Sequence, residues 1–358
     1  MTRVIARDCA EYADGAVGAV VDEALDIFLP GIEGKRVFVK PNLLSPVPPE
    51  RGVTTHPVYV RTLVAALRKR GAREVLVGDN PGMTGYAAAE RVARRSGILE
   101  AAGDAFRNVS GDGVKVSPGG YEAIASRDIM EADILINLPK LKTHALTVYT
   151  GAIKNMFGII VGSGKVNAHR AFPHPDDFSR FMADVCAVRP PDLSILDAVL
   201  VMEGNGPNAG RMRKGGKILA SGDSVALDAA ALGMIGVPTG AVRMIGRARE
   251  LGLGVDEGFE LDGEVQPLPR FKLPSTMRLP KGFLGKVFNG IACALVSRRI
   301  PKLRKKKCTG CQVCVKHCPQ EALSMEGKLP RLDASKCISC FCCVELCTER
   351  AYKLGIKW

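Results

Sequence analysis

Nine of the twelve cysteines crowd into residues 308–347, and their spacing is regular. Cys308, Cys311, Cys314 and Cys318 read C-x2-C-x2-C-x3-C, and Cys337, Cys340, Cys343 and Cys347 repeat that pattern. Two-residue gaps let three thiolates converge on one face of an iron–sulfur cubane within a tight loop. The fourth cysteine, a helical turn further on, reaches a neighbouring cubane. The expected ligand sets are therefore Cys308, Cys311, Cys314 and Cys347 for one [4Fe-4S] cluster, and Cys337, Cys340, Cys343 and Cys318 for a second. Structural zinc usually pairs two C-x2-C elements across a long gap. A disulfide scaffold is excluded by the sparse cysteines elsewhere, Cys9, Cys186 and Cys293. Cys342 is left over, either as a free thiol or as a competing ligand at the second site.

A second concentration of reactive side chains runs from Asn137 to Gly158, with Lys140, Lys142, His144 and Lys154 set among residues apolar enough to be core. Lysines normally lie on solvated faces. Lys140, Lys142 and His144, however, follow one another at strand spacing, so all three are expected to point one way. They would then form a cationic pocket for carboxylate or phosphate, with His144 or a lysine of lowered pKa as proton donor. Gly162-Ser-Gly164-Lys165 is not a phosphate loop, because position 159 is Ile and Val166 follows the lysine. No dinucleotide fingerprint follows a strand either. His169 and His174 are either metal ligands or ordinary loop histidines. Glu203 and Asn205 lie in a Gly- and Pro-rich loop of defined shape.

These residues need a scaffold. Residues 16–29 and 58–70 have helical periodicity, and short apolar runs at 36–40, 74–78, 133–137, 193–197 and 217–223 read as strands. Each run ends in a polar residue beside Gly, Pro or Asn, which places Lys40, Asn42, Asp79, Asn80 and Lys140 where ligands sit in parallel sheets. The alternative is that such Asp and Asn residues cap helices. The expected fold is α/β. Residues 1–255 form a Rossmann-like, mostly parallel sheet domain, 256–302 a linker with an amphipathic segment, and 303–358 a small α+β ferredoxin-like domain. The amphipathic stretch 281–297 is expected to dock the two domains, with a membrane-surface helix as the alternative.

The chain has 358 residues and a net charge of +13, much of it in Arg298–Lys307. With 5% aromatics and no nucleic-acid signature, no nucleic-acid partner is expected. The first residues lack a signal-peptide core and no apolar run is long enough to span a bilayer, so a cytoplasmic, anaerobic setting is expected.

Six strings together resemble the DUF362 family, which is often fused to a ferredoxin domain. They are Lys40-Pro-Asn42-Leu-Leu44, Thr54-Thr-His-Pro57, Gly78-Asp79-Asn-Pro-Gly82, Asn137-Leu-Pro-Lys-Leu-Lys142-Thr-His144, Thr150-Gly-Ala-Ile-Lys154-Asn-Met-Phe-Gly158 and Met202-Glu-Gly-Asn-Gly-Pro207. The doubled Cys342-Cys343 is similar to the family pattern too, whereas Thr348 departs from the proline expected after a fourth cysteine. The resemblance implies iron–sulfur binding and redox work and supplies no substrate. Residues 52–82 also resemble an α/β unit of nickel-dependent lactate racemases, a fold-level analogy without catalytic residues.

The leading expectation is an iron–sulfur oxidoreductase that binds two [4Fe-4S] clusters and a small anionic substrate. Lys142, His144 and Lys154 would be catalytic, and Lys40, Asn42, Asp79, Asn80, Lys140, Glu203 and Asn205 would bind substrate. The alternatives are a non-catalytic electron carrier, whose basic run steers an acidic redox protein, and a maturation factor for a metal or cluster.

Overall fold

The computed structural model describes residues 1–81, 86–277 and 299–356. Its frame is a nine-stranded sheet. In chain order the strands are β1 (Arg3–Asp8), β2 (Arg36–Pro41) and β3 (Glu74–Val77), a separate hairpin β4 (Gly113–Val116) and β5 (Ala123–Ser126), then β6 (Ile134–Leu138), β7 (Lys140–His144), β8 (Val148–Thr150), β9 (Leu193–Glu203), β10 (Arg211–Ser221) and β11 (Glu260–Asp262). Across the sheet the order is β11-β1-β10-β9-β6-β2-β3, with β7 and β8 continuing off β9. The β3-β2-β6-β9 half is parallel, whereas β9-β10 and β10-β1 are antiparallel.

Parallel strands covered on both faces are apolar along their whole length. In β2, Val37 and Val39 face one core layer, with helices Asp14–Phe28 and Pro57–Lys69, while Phe38 faces the other, with helices Pro175–Val188, Ser224–Met234 and Arg243–Glu250. Both helices read from periodicity form within two residues of their expected bounds.

Two expectations change. The strand expected at 217–223 is the end of β10, which runs antiparallel, so its carboxyl end leaves the common edge. Asp223 there caps the following helix, accepting from Val225 N–H and Ala226 N–H. The chain beyond residue 255 is also not all linker, because β11 adds to the sheet beside β1. The amphipathic stretch 281–297 lies outside the described residues.

The cysteine-rich part folds as two matching halves. Strand β12 (Arg299–Leu303) pairs with β15 (Tyr352–Ile356), and β13 (Leu323–Glu326) with β14 (Leu329–Leu332). Short helices Val313–Lys316 and Cys342–Glu345 occupy equivalent places. Left-handed backbone recurs at the same positions of both halves, Gln312 (φ 62°) with Phe341 (φ 60°) and Glu321 (φ 50°) with Arg350 (φ 52°). Non-glycine residues seldom adopt such φ, so the repeat reflects one constraint imposed twice. Leu323, Phe341, Cys343, Val344 and Tyr352 belong to the same buried core as the sheet's second helical layer, so this part is packed onto the sheet domain.

Candidate functional site

Cys308, Cys311, Cys314 and Cys347 line one cavity of about 370 Å³. Cys318, Cys337, Cys340 and Cys343 line another of about 350 Å³, with Cys342 also on its wall. Among the described residues no three His, Cys, Asp or Glu converge closely enough to hold a single metal ion. Four cysteines around each cavity, drawn from C-x2-C-x2-C-x3-C runs, are the donor set of a [4Fe-4S] cluster. Donors already point at the sulfurs. Ala322 N–H and Ala351 N–H reach Cys318 and Cys347 Sγ at 3.2 Å each, and Tyr352 O–H reaches Cys314 Sγ at 3.2 Å. The residues present therefore fit [4Fe-4S] groups, with backbone and phenol donors ready to tune them.

Between these cavities and the carboxyl ends of the parallel strands lies a polar pocket that is partly open to solvent. Asn42 and Asp79 follow β2 and β3. Lys142 and His144 come from β7, Thr150 from β8, and Lys154 and Asn155 from the helix Ala152–Asn155. Lys165 and His169 lie on the helix Gly164–Ala171, and Glu345 and Leu346 close the pocket from the cysteine-rich part.

Local structure explains why these side chains meet. Asp228 accepts from Ala152 N–H (2.6 Å), Ile153 N–H (3.1 Å) and Tyr149 O–H (2.9 Å), which fixes the start of the short helix carrying Lys154. A chain of amides ties three elements together: Asn42 Nδ2 donates to Asn155 Oδ1 (2.8 Å), and Asn155 Nδ2 to Asn137 Oδ1 (2.7 Å). Gly158 permits the closest approach, since a Cβ there would overlap Asp79 Oδ1 and Lys40 Nζ. We expect Gly158→Ala to break the buried Lys40–Asp79 pair, which is 2.8 Å long. Separating a buried pair costs about 3–5 kcal/mol, so chemical denaturation should show a loss of that order.

Burial dominates the pocket's electrostatics. It pulls Lys142 down to about 7, helped by Lys140 and Lys154. Lys165 also falls to about 7, burial outweighing the support of Asp79. Lys154 shifts down for the same reason. Burial alone would raise Glu345, but His144 and Lys154 more than offset it and hold the carboxylate at about 2. Leu146 N–H and Thr147 N–H donate to His144 Nδ1 (3.1 and 3.2 Å), so the neutral ring carries its proton on Nε2, 3.1 Å from Glu345 Oε1. With Nδ1 occupied and burial lowering its pKa to about 4, His144 is a neutral hydrogen-bond donor and not the proton source expected from sequence.

Buried polar atoms normally find partners. Asp79 Oδ1, His144 Nε2, Thr150 Oγ1, His169 Nδ1 and Glu345 Oε1 lack a well-aligned hydrogen bond, and all five residues line this one pocket. Lys154 makes no ion pair or hydrogen bond among the described residues, its Nζ standing 5.9 Å from the Phe157 ring centre.

Several expected site residues lie elsewhere. A register shift between Lys140 and Lys142 breaks the alternation that would align them. Lys140 Nζ turns to Asp197 Oδ2 (2.7 Å), Tyr12 Oη (2.9 Å) and the Leu200 carbonyl (2.8 Å). Lys40 stands behind Asp79, and Asn80 holds the Ile160 carbonyl at 2.6 Å. Glu203 pairs with Arg213 at 3.3 Å and accepts from Lys272 N–H, while Asn205 accepts from Ser275 N–H, so both anchor the returning chain. Their loop instead supplies Asn208, whose Nδ2 donates to the carbonyls of Glu345 (3.0 Å) and Cys347 (3.1 Å) and clamps the cysteine-bearing helix. Pro319 and Thr348, matching positions of the two halves, offer carbonyls to Arg170 and Arg51 of the sheet domain. His169 stacks on Phe178 with ring centres 4.2 Å apart, and His174 accepts from Asp176 N–H to cap a helix.

Lys165, His169, Thr150 and Glu345 were not expected in the site. Lys165 carried a signal in its Gly-rich setting, but Glu345 sits between cysteines and had none.

Residues 37–233 match the model of a domain of unknown function, DUF362. The chain belongs to the DUF362 family. This DUF362 chain also matches a 4Fe-4S dicluster domain over residues 300–348. It is 32% identical over 262 residues to the thylakoid-associated protein sll1697 of Synechocystis sp., covering 69% of this chain and 80% of that protein. Among solved structures it is similar to the lactate racemase apoprotein of Thermoanaerobacterium thermosaccharolyticum, with TM-score 0.42 and 14% identity over 63% of this chain. A Thermotoga maritima protein gives TM-score 0.37 and 15% identity over 68%. The DUF362 chain spans 55% and 60% of those two structures. Among the described residues no helix is long and apolar enough to cross a membrane.

Proposed function

We propose that this protein is an iron–sulfur oxidoreductase acting on a small anionic substrate held between the sheet domain and the helix Cys342–Glu345. Two [4Fe-4S] clusters would be held, one by Cys308, Cys311, Cys314 and Cys347, the other by Cys318, Cys337, Cys340 and Cys343. The two separate four-cysteine cavities support this reading. Such clusters, when bound, exchange single electrons.

The observation that carries the proposal is the pocket itself. Three lysines and the unpartnered Thr150 Oγ1 and His169 Nδ1 converge where a segment bearing cluster cysteines forms the wall. Lys154, with no ion pair or hydrogen bond among the described residues, neutralises a carboxylate or similar oxyanion. Lys142 and Lys165, poised near neutrality, hold a proton at Nζ and release it to a substrate that gains electrons. His144 Nε2–H, 3.1 Å from Glu345 Oε1, holds that carboxylate in place on the pocket wall. Thr150 Oγ1 and His169 Nδ1 remain for a ligand hydroxyl or amino group, so the substrate class is a small oxyacid that also carries one. A reducing cytoplasmic setting belongs to this reading.

The test is anaerobic purification followed by iron, sulfide and released-ligand analysis, then reduction and challenge with a panel of small hydroxy and oxo acids. We expect about eight irons per chain and re-oxidation by a subset of the acids. A fully loaded protein that no acid re-oxidises and that releases no ligand would favour the carrier reading.

A further inference from the structure

Among the described cysteines only Cys311 is exposed, and it lines the cavity it shares with Cys308, Cys314 and Cys347. Exposed cations lie on the segments next to its loop. Arg304, Lys305, Lys306 and Lys307 are all exposed, and the three lysines form a single tight turn that closes on Cys308, whose N–H donates to the Lys305 carbonyl at 3.1 Å. Lys316 is exposed at the end of the helix that carries Cys314. Lys328 is exposed too, and its carbonyl lies against Gly310, 2.9 Å from where a Cβ would stand.

None of these six cations makes an ion pair among the described residues. The acids of the same domain do not neutralise them. Glu349, on the cavity rim, accepts from Thr348 O–H, Glu326 pairs with Arg331, and Glu345 is buried in the pocket; Glu321 and Asp333 are exposed. The sequence is as one-sided. Between Glu264 and Glu321 it has no acidic residue and thirteen lysines and arginines, as many as the whole net charge of +13.

Unpaired like charges repel one another, so a concentration of this kind weakens the fold locally and gains only when an opposite surface arrives. Its position matters as much as its sign. A basic patch that merely solubilised the protein would have no reason to gather on the segments beside the one exposed cysteine among the described residues. Nucleic acid and lipid headgroups carry the complementary charge, but neither has an electron to exchange with the group behind Cys311. A redox protein has both.

We propose that the Lys305–Lys307 turn, with Arg304, Lys316 and Lys328, docks an acidic electron-transfer protein against the Cys311 edge of the cysteine-rich domain. This rests on the cluster reading above. It also divides the labour within the domain, with Cys311 facing the partner and the Glu345 helix facing the pocket.

The experiment is calorimetric titration of the anaerobically purified full chain with an acidic flavodoxin, at low and at high salt, with iron content measured on every sample. We expect wild-type affinity to fall about tenfold or more on adding salt. The triple variant Lys305→Glu, Lys306→Glu, Lys307→Glu should bind at least about tenfold more weakly at low salt with its iron unchanged. The milder pair Lys316→Gln and Lys328→Gln should fall between. Salt-insensitive binding, or a fully loaded triple variant that binds like wild type, would overturn the docking proposal alone. Wild-type protein that ignores flavodoxin and binds phosphatidylglycerol vesicles would overturn it in favour of a membrane surface. Wild-type protein that takes up no iron or sulfide would overturn the cluster reading and this proposal with it.

Discussion

Cys318→Ala should empty the cluster site whose other three cysteines lie in the second run, leaving the first run's site intact. Cys318 stands on the wall of the cavity lined by Cys337, Cys340 and Cys343, although it lies only four residues from Cys314. A sequence-local arrangement would have it serve the first site. Anaerobically reconstituted variant protein should hold about four irons where the wild type holds about eight. Its reduced electron paramagnetic resonance spectrum should lose the splitting that arises when two reduced clusters sit side by side. The damage should extend beyond the cavity, because Phe341, Cys343 and Val344 belong to the core joining the two domains and Glu345 closes the pocket. On the proposed oxidoreductase reading, small-acid turnover should therefore vanish with the iron. If Cys318→Ala retains about eight irons, or loses the signal assigned to Cys308, Cys311 and Cys314, the crossed ligand sets are wrong.

Lys165→Met should make the protein more stable and its pocket weaker. The ammonium lies at about 7 in the folded chain against the ordinary 10.5, because burial disfavours its charge. Between those two values the unfolded chain holds the proton and the folded chain has released it, so this lysine's contribution to stability rises with pH across that window. Below pH 7 the full cost of keeping a buried charge is present, about 5 kcal/mol for a shift of this size. Its hydrogen bond to the Asn80 carbonyl returns about 1–3 kcal/mol of that. Methionine of similar length should then gain about 2 kcal/mol at pH 6, shrinking to nothing above about pH 10. Urea unfolding at several pH values measures this directly. Affinity for malonate, used as a probe anion, should fall roughly ten- to a hundredfold at pH 6, the worth of one charge-assisted hydrogen bond. In the wild type the same affinity should decline as pH rises through 7 and Lys142 and Lys165 lose their protons. A variant less stable than wild type at every pH, with malonate binding unchanged, would make Lys165 a structural residue. Opposite signs for stability and binding are what a functional pocket predicts.

Much of the scaffold was legible because it rests on local periodicity. The helices Asp14–Phe28 and Pro57–Lys69 and the strands β2, β3 and β6 follow from apolar spacing and from the Gly, Pro and Asn residues that end them. Asn42 and Asp79 were legible as pocket residues for a general reason, that parallel strands deliver ligands at their carboxyl ends. Lys140 shows where such reading stops. Its strand spacing from Lys142 was correct, yet one register shift against β9 sent the two side chains to different partners. That shift depends on how β9 lies beside β7, some sixty residues away, and no local pattern records it. Glu203 and Asn205 likewise looked like site residues by their loop's composition, whereas the loop's work is to hold residues 271–275 and, through Asn208, the helix Cys342–Glu345.

By itself the sequence determined the iron–sulfur chemistry and the α/β class, because cysteine spacing and strand periodicity are local properties that survive without a partner segment. Only the tertiary structure decided which charges face one another. Glu345 became a pocket residue because one helix of the cysteine-rich domain is clamped against the strand ends. Lys165 became one because its helix folds back over Asp79. Histidine 144 is a donor and not an acid because two backbone N–H groups already occupy its other nitrogen. Long-range burial sets such protonation states, and burial is a property of the assembled fold alone.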